Sequence, residues 1–243
     1  MKKWLAAVFT GMLSLTLLYA ACIMPPMGEP DNPSAQNIVP HYLEYGVEEA
    51  GAENIVTCII LNYRGYDTLG EVTVLFCAVT AVLAVLSRKK KGLAASIPEN
   101  PTGVAPSAII LTAVRIMVPF ILLFSVYTIL HGNVSPGGGF QGGAIIGASL
   151  IIFTSLFGLN EAEKRIPERI RIPLEDAPVI AFLVVGVSGV FFGTNFLTYL
   201  LPGIPVPFQT AVRTFMLLLV GVGIGTGVAM EFISILFALL KEE

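Results

Sequence analysis

The chain has 243 residues, 55% hydrophobic and 13% charged, with a formal net charge of −3 and a mean hydropathy of +0.80. Soluble domains carry about 25% charged residues, so this composition describes a membrane protein, and its lack of a basic excess excludes a nucleic-acid partner. Cys22, Cys58 and Cys77 have no CxxC or metal-ligand spacing and read as small apolar side chains. No catalytic group, metal or cofactor bound by this chain is expected.

Apolar runs at residues 4–23, 68–86, 107–130, 140–160, 177–201 and 210–240 each approach or exceed the ~20 residues that cross a bilayer core. They predict an all-α integral membrane protein with six transmembrane helices. Positive charge orients them. Lys2 and Lys3, Arg88 to Lys91, Lys164, Arg165, Arg169 and Arg171, and Lys241 all fall on one side if the N-terminus is cytoplasmic, and no Lys or Arg falls in an outer loop. This gives a multi-pass protein of the cell membrane with both termini cytoplasmic and the lipid bilayer as its first partner.

The first run, with Lys2 and Lys3 ahead and Ala20, Ala21 and Cys22 behind, has the look of a secretory or lipoprotein signal. Tyr19 is large where a cleavage site wants a small residue, which favours a retained span. Between Pro25 and Pro40 five prolines predict an extended loop, leading to a short helical piece near Tyr42 to Ala52. Ala52 to Tyr63 is apolar but too short to span, so a lateral or re-entrant helix is expected there.

That segment runs into Arg64, Asp67 and Glu71 as the second span begins. On a helix Asp67 and Glu71 share one face with Arg64 close by, and two carboxylates so placed in a membrane are candidates to bind a proton or a cation. The competing reading is that Asp67 or Thr68 caps the helix and Arg64 snorkels to headgroups. Residues 88 to 108, charged and then rich in Pro, Ser and Gly, predict a cytoplasmic linker between a two-span module at 1–97 and a four-span module at 103–243.

The second module contains His131, Pro136, Gly137, Gly138, Gly139, Phe140, Gln141, Gly142 and Gly143 in one loop. No GK[ST] follows, so a phosphate cradle is a poor reading, and a tight outer hairpin packed against helices is expected. Small-xxx-small spacing at Gly139/Gly143/Gly147, Gly189/Gly193, Gly221/Gly225 and Gly223/Gly227 predicts close helix packing, within this bundle or against other subunits. Arg115 and Glu231 are a candidate intramembrane pair, with snorkelling of Arg115 and an interfacial Glu231 as the alternative. Arg213 reads as an interfacial anchor and His131 as a hydrogen-bonding residue.

Asn62-Tyr-Arg-Gly-Tyr-Asp-Thr-Leu-Gly-Glu71 resembles the F-R-G-F-D-T-L-G-E segment at the C-terminal end of the large A-type component of Mrp-type multisubunit cation/proton antiporters, and the matching small E-type component of archaeal membrane-bound hydrogenases. His131 to Gly143 resembles the H-G-x-x-x-P-G-G-G-F-Q-G-G segment of the B-type (MnhB/MrpB-like) component of the same antiporters. Tyr63 and Tyr66 stand where Phe is usual. The resemblance covers most of residues 45 to 243 and implies a fusion of adjacent subunits.

It also implies a membrane arm that exchanges Na⁺ for H⁺, with other antiporter-module membrane subunits as partners. The host is a stand-alone antiporter or a respiratory complex with a hydrogenase-like or sulfur-reductase peripheral arm. The alternative function is a purely structural assembly role. A quinone-binding or redox role has little to stand on with two His and no cysteine motif.

Overall fold

The computed structural model describes residues 2–26, 28–29, 31–89 and 107–241, all helical or irregular, with no strand among the described residues. The linker expected at 88–108 lies mostly outside them. Two compact units form, Met1–Glu44 and Tyr45–Glu243.

The first unit holds α1 (Lys2–Ile23), a π-helical turn (Ser34–Ile38) and the beginning of α2 (Val39–Ala50). α1 is apolar and exposed on all its faces, as a helix surrounded by lipid or other apolar chains must be. The proline-rich segment is not extended throughout, as the sequence suggested. Asn32 Oδ1 accepts from the Ser34 N–H at 3.2 Å, and Pro33 stands just ahead of the π turn, so the chain is already helical from residue 34.

In the second unit, α3 (Ile55–Thr57) starts on the cap of Asn54, whose Oδ1 accepts from the Val56 N–H at 3.0 Å. It continues as a π turn (Cys58–Tyr63), then α4 (Gly65–Lys89). The segment at 52–63, expected as a lateral or re-entrant helix, is therefore helical from Ile55. There follow α5 (Ala108–Leu130), α6 (Gly139–Phe157), α7 (Leu159–Arg165), α8 (Glu168–Glu175), α9 (Ala177–Phe191) and α10 (Val206–Leu240).

Among the described residues six helical stretches are long and apolar enough to cross a membrane: Lys3–Ile23, Gly65–Leu86, Ala108–Leu130, Gly139–Phe157, Glu168–Phe191 and Pro207–Leu240. The fifth differs from the run at 177–201. It begins earlier, through α8, and stops at Phe191. Gly193 and Leu197 have φ of 75° and 61°, and Phe196 folds back against Gly186, so residues 192–205 return over the helix end. Residues 161–176, between the apolar runs at 140–160 and 177–201, are mostly the two short helices α7 and α8.

α10 is the axis of this unit. It is the most buried of the spans and packs against α6, α9, α8, α4 and α5. Its 35 residues extend about 52 Å at ~1.5 Å per residue, well beyond a ~30 Å hydrocarbon core. Contact with α6 is made backbone to backbone. A Cβ on Gly143 would lie 2.6 Å from the Gly225 carbonyl oxygen and 3.0 Å from Val228 Cβ, and one on Gly139 would overlap the Gly221 carbonyl. Gly223 and Gly227 do the same for α9, against Ala181 and Pro178. The faces at Gly139/Gly143/Gly147 and Gly223/Gly227 are thus filled within the chain itself, while a Cβ on Gly193 would meet nothing within 4 Å.

Gly143→Ala should therefore cost about 1–3 kcal/mol, the range for overpacking a filled interface, and lower the melting temperature of the detergent-solubilised protein. Gly221→Ala, whose Cβ would find nothing within 4 Å, should leave it unchanged or raise it.

Candidate functional site

Polar chemistry is concentrated at two levels of the α10 bundle. The first surrounds the glycine loop. Asn54 Nδ2 donates to the carbonyls of Gly132 at 2.8 Å and Ser135 at 2.9 Å, Thr57 Oγ1 donates to Gly132 O at 2.6 Å, and the Asn54 N–H donates to Asn133 O at 3.0 Å. Asn133 Nδ2 in turn donates to the Thr214 carbonyl on α10 at 3.3 Å. The loop is thus a hairpin clasped by side chains 75 to 81 residues earlier in the chain. No sequence motif singled out Asn54 or Thr57; an Asn ahead of an apolar run signals only a helix cap.

Within the loop, Gly139, Gly142 and Gly143 are buried, Phe140 packs on the core, and Gly138 takes φ 145° to begin α6. Pro136 and Gln141 are exposed, and Gly137 is half-buried. Gln141, Gly138, Thr57, Thr68 and Gly221 help line a small cavity of about 70 Å³. His131 stacks on Tyr127 with ring centroids 4.1 Å apart and bonds the Tyr127 carbonyl through Nδ1 at 3.2 Å, a structural arrangement.

Beside this clasp lies the junction of the π turn with α4. Thr68 Oγ1 donates to Ile60 O at 2.5 Å, satisfying a π-turn carbonyl, so Thr68 is not a cap. Arg64 Nε and Asp67 Oδ2 pair at 2.5 Å, with side chains 64% and 54% exposed. Glu71, one turn on, is exposed and has no hydrogen bond or ion pair among the described residues. Leu61, Thr68 and Val72 point into the body while Arg64, Asp67 and Glu71 point away from it. The stripe expected from the spacing exists, on a face that the chain leaves open.

The second level is about 20 Å further along α10, at ~1.5 Å per residue from Leu217 to Glu231. Glu231 is 2% exposed and makes no hydrogen bond or ion pair among the described residues. Its charged neighbour is Glu175 of α8, close enough for the two carboxylates to repel. Glu175 accepts from Ser234 Oγ and lies 3.4 Å from Arg171 Nε, whose guanidinium sits 5.2 Å from the Phe237 ring centroid. Arg115 is not Glu231's partner, contrary to expectation. It is exposed on α5, over the Phe157 ring at 5.2 Å. The i, i+4 spacing of Arg171 and Glu175 was visible in the sequence, but its meeting with α10 was not.

Arg213 is an anchor of a particular kind: Nη1 donates to Glu48 O at 2.5 Å, placing a cation at the C-terminal end of α2. Tyr199, 1% exposed with a hydroxyl that has no partner among the described residues, is pushed well above the ordinary phenol range by burial.

Residues 109–234 match the family described as a domain related to the MnhB subunit of Na⁺/H⁺ antiporters. The chain belongs to this family. Residues 4–100 match a second family, the MbhE component of MBH, so the chain joins two subunit-like segments end to end.

A probable K⁺/H⁺ antiporter A/B component of Rhizobium meliloti is 30% identical over 187 residues, 68% of this chain and 18% of that protein. The B-type component of the Na⁺/H⁺ antiporter of Bacillus subtilis is 34% identical over 91 residues, 37% of this chain and 63% of that one. The chain thus spans less than two thirds of either relative. A chain of the membrane-bound sulfane sulfur reductase, an archaeal respiratory membrane complex, is 32% identical with a TM-score of 0.67, covering 100% of both chains. The MnhB-related chain is accordingly a multi-pass membrane protein, similar to components of antiporters and of a respiratory membrane complex.

Removing the clasp in Asn54→Ala should cost about 1–3 kcal/mol, because it leaves buried loop carbonyls short of a donor, and should speed hydrogen exchange at residues 132–135. Burial also pushes the Cys58 thiol above its ordinary value, while the Ala52 carbonyl accepts from its Sγ at 3.2 Å. A raised value leaves less thiolate, so a protein retaining only Cys58 should resist maleimide at pH 7–8 when folded and react on denaturation.

Proposed function

We propose that this chain lines part of a monovalent-cation path at the boundary between itself and neighbouring membrane subunits, in a module that exchanges Na⁺ for H⁺. The observation that carries this reading is the direction of the acids. Asp67 and Glu71 stand on a membrane-spanning helix, point away from the chain's own body, and Glu71 has no partner among the described residues. A carboxylate facing lipid is costly, so in the assembled complex this face meets water, an ion or a polar group of another subunit. Two carboxylates one turn apart there offer a cation oxygen ligands, with Arg64 setting the local charge.

Glu231 and Glu175 form the other polar station, about 20 Å away along α10. Between the stations the hydroxyls of Ser125 and Thr226 bond carbonyls of their own helices. Partners must therefore supply the middle of the path. The host we favour is a respiratory membrane complex with a redox peripheral arm. End-to-end likeness to a chain of the sulfur reductase supports this. The positive charge clusters favour the cell membrane with both termini cytoplasmic.

A purely structural role is the second reading, favoured by the local pairing of Asp67 with Arg64. Glu71→Gln and Asp67→Asn in the complete complex separate the two. If the acids line the path, Na⁺/H⁺ exchange in everted vesicles should fall at least about tenfold, ~1.4 kcal/mol or more in barrier, with assembly intact. Native exchange rates in both variants would leave the chain a purely structural member of the complex.

A further inference from the structure

Arg115 is the charge that the ion-path reading leaves unused. Within a membrane-spanning helix it carries five N–H donors, and it has no hydrogen bond or ion pair among the described residues. It does not face a featureless surface. With Arg165 of α7 it lines a cavity of about 830 Å³ between α5 and α6, walled by Val118, Leu122, Leu150 and Phe153. Sites for small molecules usually span about 300–1,000 Å³.

Both guanidinium groups are held in place by rings. Arg115 lies over Phe157 at 5.2 Å and Arg165 over Phe153 at 4.7 Å, and these two rings stack on each other with centroids 4.7 Å apart. Such contacts fix a cation's position without consuming its hydrogen bonds. The single acid lining the cavity, Glu161, is shared between Arg165 at 3.5 Å and Lys164 at 3.8 Å, and the nearby Glu163 pairs with Lys241. Positive charge is therefore in excess at the mouth, while the walls are apolar.

We propose that this cavity binds an anionic phospholipid, its phosphate held between Arg115 and Arg165 and an acyl chain lying along Val118, Leu122 and Leu150. A free phosphate would satisfy the arginines but leave the apolar walls uncovered; an acyl chain alone would leave the guanidinium donors unmet. Basic pockets between transmembrane helices are where anionic headgroups are recognised. The inference is independent of Asp67 and Glu71, and it gives Arg115 a partner without Glu231.

The test is native mass spectrometry of the full chain in detergent, titrated with phosphatidylglycerol and with phosphatidylcholine of the same acyl chains. Phosphatidylglycerol should be retained preferentially, and each of Arg115→Gln and Arg165→Gln should weaken that preference by about fivefold. Arg115→Lys should keep part of it, and Arg169→Gln, outside the cavity, all of it. Equal retention of the two lipids, or a preference that survives the double Arg115→Gln, Arg165→Gln variant, would overturn the proposal. So would a structure of the assembled complex with a helix of another protein filling the cavity.

Discussion

In lipid, apolar side chains gain little by leaving their surroundings for one another, so helices associate through close van der Waals contact and a few buried hydrogen bonds. Here that constraint is met where α6 lies against α10 at Gly139, Gly143 and their counterparts Gly221 and Gly225. Side chains larger than hydrogen on α6 would push the axes apart, and the loop that begins α6 would lose its seat. The position of α9 follows the same rule through Gly223 and Gly227. α10 can therefore serve as a common wall for five other helices.

The glycine loop transmits that geometry to the first subunit-like segment. A glycine-rich turn exposes its carbonyls, and buried carbonyls need donors. Asn54 and Thr57 supply them, with the π turn that follows adding the Thr68 to Ile60 bond. The fusion of an MbhE-like to an MnhB-like segment is thus held by specific hydrogen bonds in addition to the peptide chain. The same contacts fix which way α4 is turned, burying Thr68 and Val72 and leaving Asp67 and Glu71 outward.

Charges sort by what surrounds them. Arg64 and Asp67 are paired but exposed, where an ion pair contributes only about 0–1 kcal/mol, so the pair adds little to stability. Glu231 is the opposite case, buried with no donor or cation among the described residues and beside a second carboxylate. Such a group costs the fold, and chains keep such groups in membranes chiefly where ions or protons move.

Periodicity and charge determined much of this protein from the sequence alone. Apolar length marked six spans, because a bilayer demands about 20 apolar residues per crossing, and two motifs pointed to the antiporter family. The end of the fifth helix was not legible, since a return of residues 192–205 over Gly186 and Gly189 is a tertiary event written in apolar residues that also suit a span. Nor were partners. Arg115 and Glu231 match in depth along the sequence, but depth says nothing of rotation about a helix axis, and packing turns Arg115 to Phe157 and Glu231 toward Glu175. Asn54 and Thr57 carry no motif because their role depends on carbonyls brought near from more than 70 residues away. Only the folded chain decides which glycine faces it fills itself and which acids it leaves exposed.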